Sequence, residues 1–150
     1  KKGDDLHVMW RIPFEAGTLK AISRKGGKVV IEKEIKTAGN PSQLKLTADR
    51  ASIKADGNDL SFVTVDILDD KGTLAPNANN EINFSLKGDG KIVGVSSGDP
   101  VSHESFKGNK HTALAGKCLV IIQSSKKTGR LELTAKANGL KEAAIVITAE

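Results

Sequence analysis

Apolar and polar residues alternate with period two along most of this chain, in short runs bounded by Gly, Asn, Asp or Pro. That pattern predicts strands, not helices. From Gln43 onward the runs are QLKLTA (43–48), SIKA (52–55), LSFVTVDILD (60–69), EINFSLK (81–87), KIVGV (91–95), KCLVIIQS (117–124), GRLELTAKA (129–137) and KEAAIVITA (141–149). Ile82, Phe84 and Leu86, like Leu131, Leu133 and Ala135, alternate with polar neighbours, so each strand turns one face to a core and the other to water. The turns DDKG (69–72), KGDGK (87–91) and ANGLK (137–141) supply residues that bend the backbone. Strands of this length at this spacing predict an all-β sandwich.

Upstream, LHVMWRIPF places Leu6, Val8, Trp10, Ile12 and Phe14 on one face of a half-buried strand. GTLKAISRKGGKVVIEKEIKT then reads as a hairpin: Leu19, Ala21 and Ser23 lead into a Lys-Gly-Gly turn, and Val29, Ile31 and Ile35 return. Three strands are too few for an independent sandwich. AGNPSQ (38–43) is a turn-rich joint, where Gly39, Asn40 and Pro41 each disfavour a continuing strand. The expected organisation is therefore a partial sandwich segment, residues 1–39, followed by a complete domain, residues 40–150. An opening of Lys-Lys-Gly-Asp-Asp, with neither Met nor an apolar leader, adds the expectation of a piece of a longer protein.

The net charge of +5 changes this picture little. Nine Lys and Arg against five Asp and Glu fall in the first forty residues, where they alternate with acids as on a solvated strand face. With no Tyr and one Trp, the chain lacks the stacking platform of a nucleic-acid site. No apolar run approaches the roughly 20 residues a membrane helix needs, so neither nucleic acid nor membrane is an expected partner. The one cysteine, Cys118, lies in the most apolar run and reads as a small buried hydrophobe, not a nucleophile.

The long connection 96–116 carries the candidate chemistry, in GDPVSHESFK. Asp99 and Glu104 are the residue type of a glycosidase acid–base pair. Asp99, His103, Glu104 and His111 offer metal-binding atoms, oxygen-rich for calcium and irregularly spaced for zinc. The plainer reading is a loop that fastens itself. Asp99 and Ser102 cap turns, His103 and Glu104 make pinning hydrogen bonds, and Phe106 buries its ring against the sandwich edge. A long ordered loop must satisfy its own backbone groups, and this composition can do so. We expect that plainer reading, with no metal and no cofactor, and keep ligand or interdomain contact by the loop as the sharper one. Trp10 reads as core, with sugar stacking as its alternative.

The phrases WRIPFEAGTLKA, ADGNDLSFVTV and GDPVSHESFK, within a run that continues to AGKCLVIIQSS, resemble the C-terminal immunoglobulin-like region of bacterial glycoside hydrolase family 2 enzymes of the β-galactosidase type. Residues 9–39 are similar to the end of the accessory domain that precedes it. The resemblance implies an immunoglobulin-like β-sandwich, and catalysis by two glutamates on a TIM barrel lying outside these residues. No position here matches those catalytic motifs, so no catalytic residue carries over. It further implies a non-catalytic accessory role, positioning domains around that barrel, with the parent's other domains as partners and a secreted or periplasmic location. The family pattern leads one to expect Asn where Ser97 stands, and a different stretch where this chain has KHTALAGK. Alternatives are a carbohydrate-binding module and a cell-surface adhesin-type repeat. The truncated N-terminal segment, with Trp10 and Ile12 uncovered, is expected to recruit a second copy.

Overall fold

The computed structural model describes residues 9–150, which form two compact units: one ends at Thr37, and the other is Ala38–Glu150. In the first, β1 (Thr18–Lys25) and β2 (Lys28–Lys36) make an antiparallel hairpin. Gly26 and Gly27 turn the chain with φ of 56° and 77°, values that L-residues with side chains rarely hold. The register gives the hairpin two unlike faces. Thr18, Lys20 and Ile22 lie opposite Lys36, Glu34 and Glu32, and Lys20 bridges Glu32 at 2.5 Å and Glu34 at 3.5 Å. On the other face, Leu19, Ala21 and Ser23 lie opposite Ile35, Lys33 and Ile31.

The strand expected at 6–14 needs correction. Leu6 to Val8 lie outside the described residues, and 9–17 contains no strand. Alternation alone does not make a strand; a ladder partner is required, and Pro13 has no N–H to give one. Ile12 and Phe14 instead share a hollow with Leu19 and Ile35, and Trp10 shares another with Ala21, Ile31 and Lys33. All of these apolar side chains except Ala21 stand out as large and exposed, Trp10 at 66%.

The second unit is a sandwich of two sheets. β3 (Gln43–Ala48), β5 (Leu60–Leu68), β9 (Lys117–Ser124) and β7 (Gly90–Ser96) form one, in the order β3-β5-β9-β7. β4 (Ser52–Ile53), β11 (Ala143–Ala149), β10 (Gly129–Ala137), β6 (Glu81–Lys87) and β8 (Lys110–Thr112) form the other, in the order β4-β11-β10-β6-β8. All pairings are antiparallel except β4 with β11. Val63, Val65, Ile67, Val120 and Ile122 from one sheet meet Ile82, Phe84, Leu131, Leu133 and Ile147 from the other in a single core. Burying such a side chain contributes about 1.5–3 kcal/mol. That sum is what makes this unit a domain, and what the hairpin lacks among the described residues.

Two expectations about this unit are corrected. An aromatic ring in the run LSFVTVDILD is expected in the core, but Phe62 lies on the outward face of β5 and is 38% exposed; Ser61 and Val63 are the buried neighbours. The connection 96–116 also contains β8, three residues that pair with β6. Lys-His-Thr is too short and too polar to show a period. Beyond it, Leu114 and Lys117 exchange backbone hydrogen bonds of 3.0 and 2.9 Å around Ala115 (φ 50°) and Gly116 (φ 75°). This tight turn carries the chain from one sheet to the other.

Candidate functional site

The segment between β7 and β8 is held by its own polar groups together with bonds to the strands beside it. Asp99 Oδ1 accepts from the Val101 N–H at 3.0 Å, and the Ser102 N–H donates to the Asp99 carbonyl at 3.4 Å. Ser102 Oγ accepts from the Glu104 N–H at 3.2 Å. Glu104 then spans the loop: Oε1 accepts from Thr112 Oγ1 at 2.9 Å and Oε2 from the Thr112 N–H at 3.1 Å. Those two bonds, from the N–H and then the hydroxyl, hold the Glu104 carboxyl below its ordinary range. Both of its oxygens are engaged.

His111, on β8, is the buried member of the cluster, 1% exposed. Its Nδ1 lies 2.9 Å from the Thr112 carbonyl and 3.3 Å from Glu104 Oε2. Both neighbours are acceptors, so Nδ1 carries the proton, and Nε2 is left buried with no partner among the described residues. Phe106 corrects the expectation of a buried ring. It is 60% exposed and lies over His111 with ring centroids 6.3 Å apart and planes 11° from parallel. Phe106 fastens the loop through its carbonyl, which accepts from the Val95 N–H at 2.9 Å. His103 is exposed, and none of the hydrogen bonds among the described residues reaches its ring, contrary to a pinning role.

The loop therefore brings Asp99, Ser102 and Glu104 together as a chain of caps, leaves His103 outside, and puts Phe106 on the surface. Trp10 belongs to the other unit. Among the described residues no three His, Cys, Asp or Glu side chains gather as a metal set. Cys118 is buried on β9, and burial raises its thiol to about 11.

One buried carboxylate went unnoticed in the sequence. Asp69, 1% exposed, follows β5; Oδ2 accepts from the Gly39 N–H at 2.8 Å, and Oδ1 from Lys71 and Thr73 at 2.9 and 2.7 Å. The Gly39 bond first, then the Thr73 bond, hold its carboxyl below the ordinary range. A signal existed: Asp69 continues the inward phase of Val63, Val65 and Ile67.

Two mainly antiparallel sheets closed on one core, with a long fastened loop at one edge, define an immunoglobulin-like β-sandwich. Comparison with known proteins gives the family. Residues 44–146 match the model of the glycoside hydrolase family 2 C-terminal domain 5, and residues 1–31 match a domain of unknown function, DUF4982. The chain belongs to the glycoside hydrolase family 2 C-terminal domain 5 family. It is 54% identical to a beta-galactosidase of Bacteroides ovatus over 98% of this chain and 17% of that protein. It is 31% identical to a beta-galactosidase of Thermoanaerobacter pseudethanolicus over 83% of this chain and 15% of that one. A crystal structure of a glycosyl hydrolase family 2 member from Bacteroides cellulosilyticus superposes with a TM-score of 0.90 at 39% identity, covering 94% of this chain and 18% of that one. The chain thus spans under a fifth of the length of these relatives.

Proposed function

We propose that this chain is a non-catalytic accessory region of a β-galactosidase-type glycoside hydrolase, and that it works by positioning neighbouring domains. The observation that carries this reading is the employment of the loop's acids. Both oxygens of Glu104 and Oδ1 of Asp99 accept hydrogen bonds from their own loop or from β8. A general acid or base must reach the proton it transfers. The partners are the parent's other domains, and the location is secreted or periplasmic.

The test is hydrolysis of nitrophenyl galactosides by the purified chain. We expect no turnover, and turnover abolished by Glu104→Ala would overturn the reading. Calorimetry against galactosides is expected to give no saturable heat; a signal that depends on Trp10 would favour a sugar-binding module instead. Fractionation of the native host, with the parent protein found in the cytoplasm, would refute the location.

In isolation, the uncovered hairpin face with Trp10, Ile12 and Phe14 is expected to pair with a second copy. Light scattering showing a strict monomer at high concentration, unchanged on deleting residues 1–37, would count against that.

A further inference from the structure

The last backbone hydrogen bond of the first unit runs from the Thr37 N–H to the Gly17 carbonyl at 2.8 Å, and Thr37 Oγ1 accepts from the Gly17 N–H at 3.1 Å. In the second unit, the first tether is the Gly39 N–H on Asp69 Oδ2, at 2.8 Å. Ala38 alone lies between. We propose that Asp69 is a clasp that keeps the joint between the two units to a single free residue, and so limits how far they can swing against each other.

The clasp is built for that task. Its own turn fixes it: Oδ1 takes the Lys71 and Thr73 N–H groups, the Asp69 N–H donates to the Thr73 carbonyl at 2.9 Å, and the Gly72 N–H donates to the Asp69 carbonyl at 3.2 Å. The Asp69 carbonyl also accepts from Gln43 Nε2 at 2.8 Å, which ties the first residue of β3 to the same point. Oδ2 remains for Gly39. A carboxylate accepting an N–H makes a stronger bond than a neutral acceptor, and losing that bond leaves a buried oxygen unpaired.

Without the clasp, the next fixed point is Ser42, whose N–H donates to the Leu68 carbonyl at 2.8 Å. The free stretch then grows from residue 38 to residues 38–41. With Pro41 locked at φ, that is about seven soft torsions in place of two. A single residue changed at Asp69 therefore alters the freedom of a joint it does not belong to. The geometry stands by itself; only its use, holding domains in place, rests on the architectural reading above.

The experiment uses the full chain, labelled with 15N, as wild type and two variants. Asp69→Asn keeps the shape but has one acceptor oxygen, so it can serve the Lys71 and Thr73 amides or Gly39, not both. Insertion of Gly-Ser after Thr37 lengthens the joint and leaves Asp69 untouched, so it decides the matter if Asp69→Asn fails to fold. In the wild type, the Gly39 amide should exchange on the order of tenfold or more slowly than an unstructured amide. In Asp69→Asn, the one oxygen should stay with the two amides of its own turn, Lys71 and Thr73, so that protection should be lost. Relaxation should show the two units tumbling more independently in both variants than in the wild type. A Gly39 amide exchanging freely in the wild type, or unchanged tumbling in the insertion variant, would overturn the clasp. Galactoside turnover by the wild-type chain would sink the architectural reading and leave these results as they are.

Discussion

Glu104 and Thr112 meet through two hydrogen bonds at once, the carboxylate accepting from both the hydroxyl and the backbone N–H of the threonine. Eight positions of chain are closed by that contact, and the loop between β7 and β8 takes its shape from it. Thr112→Val removes only the hydroxyl donor. It should lower the melting temperature by about a few degrees and raise amide exchange through residues 99–109. Unchanged exchange there would show that the loop is held by something else.

The same contact has a pH consequence. Glu104, Asp56, Asp59 and Asp69 are all held below their ordinary values, 4.5 for the glutamate and 3.8 for the aspartates, mainly by backbone N–H groups. Folded values below unfolded ones mean stability that is fully present above the ordinary values and is lost as pH falls through the folded ones. Calorimetry should find a melting temperature nearly constant above about pH 5 and falling steeply below about pH 4. Asp69→Asn should make that acid limb shallower; an unchanged limb would remove Asp69 from the account.

Leu133 and Phe106 should answer truncation very differently. Leu133 is wholly buried between the sheets, and Leu133→Ala should cost about 2–5 kcal/mol through lost burial and the cavity left behind. Phe106→Ala should cost under about 1 kcal/mol, because most of its ring already meets water. Denaturant titration of both variants checks the contrast, and equal losses would contradict the exposed placement of Phe106.

The turn at Ala115 and Gly116 gives two substitutions of opposite sign. Ala115 holds φ at 50°, so Ala115→Gly should stabilise by up to about 1 kcal/mol. A Cβ on Gly116 would stand 2.4 Å from the Ala75 carbonyl oxygen, so Gly116→Ala should destabilise by at least about 1–3 kcal/mol. Thermal melts that rank the two alike would refute the turn.

Cys118 should be silent toward thiol reagents while the protein is folded. With the thiol raised to about 11, about one molecule in a thousand carries thiolate at pH 8. Alkylation followed by mass spectrometry should show negligible labelling until denaturant is added. Rapid labelling of the native chain would place Cys118 in an open setting.

Period two made the sandwich legible in advance, because burial on one face of each strand leaves its mark at every second residue. Ile82, Phe84, Leu131 and Leu133 are read from that mark, and all four are buried. The same rule over-reads Trp10, Ile12 and Phe14, whose alternation is not backed by a pairing strand among the described residues. It misses β8, since three residues cannot display a period. Asp99, Ser102 and Glu104 were visible as polar residues in a long loop. His111 was visible only as a donor of metal-binding atoms; its burial beneath Phe106 at the loop's centre was not legible, because it depends on β8 joining β6.

The five-stranded sheet ends on β4, two residues long, and on β8, three residues long. Strands that short offer too few free N–H and C=O groups to template an incoming strand. On its inner side β4 is tied to β11 past the last paired residues, where the Glu150 N–H donates to the Ile53 carbonyl at 2.9 Å and the Ala55 N–H to the Glu150 carbonyl at 2.7 Å. Along this side, the domain resists growth into fibrils by leaving them nowhere to begin.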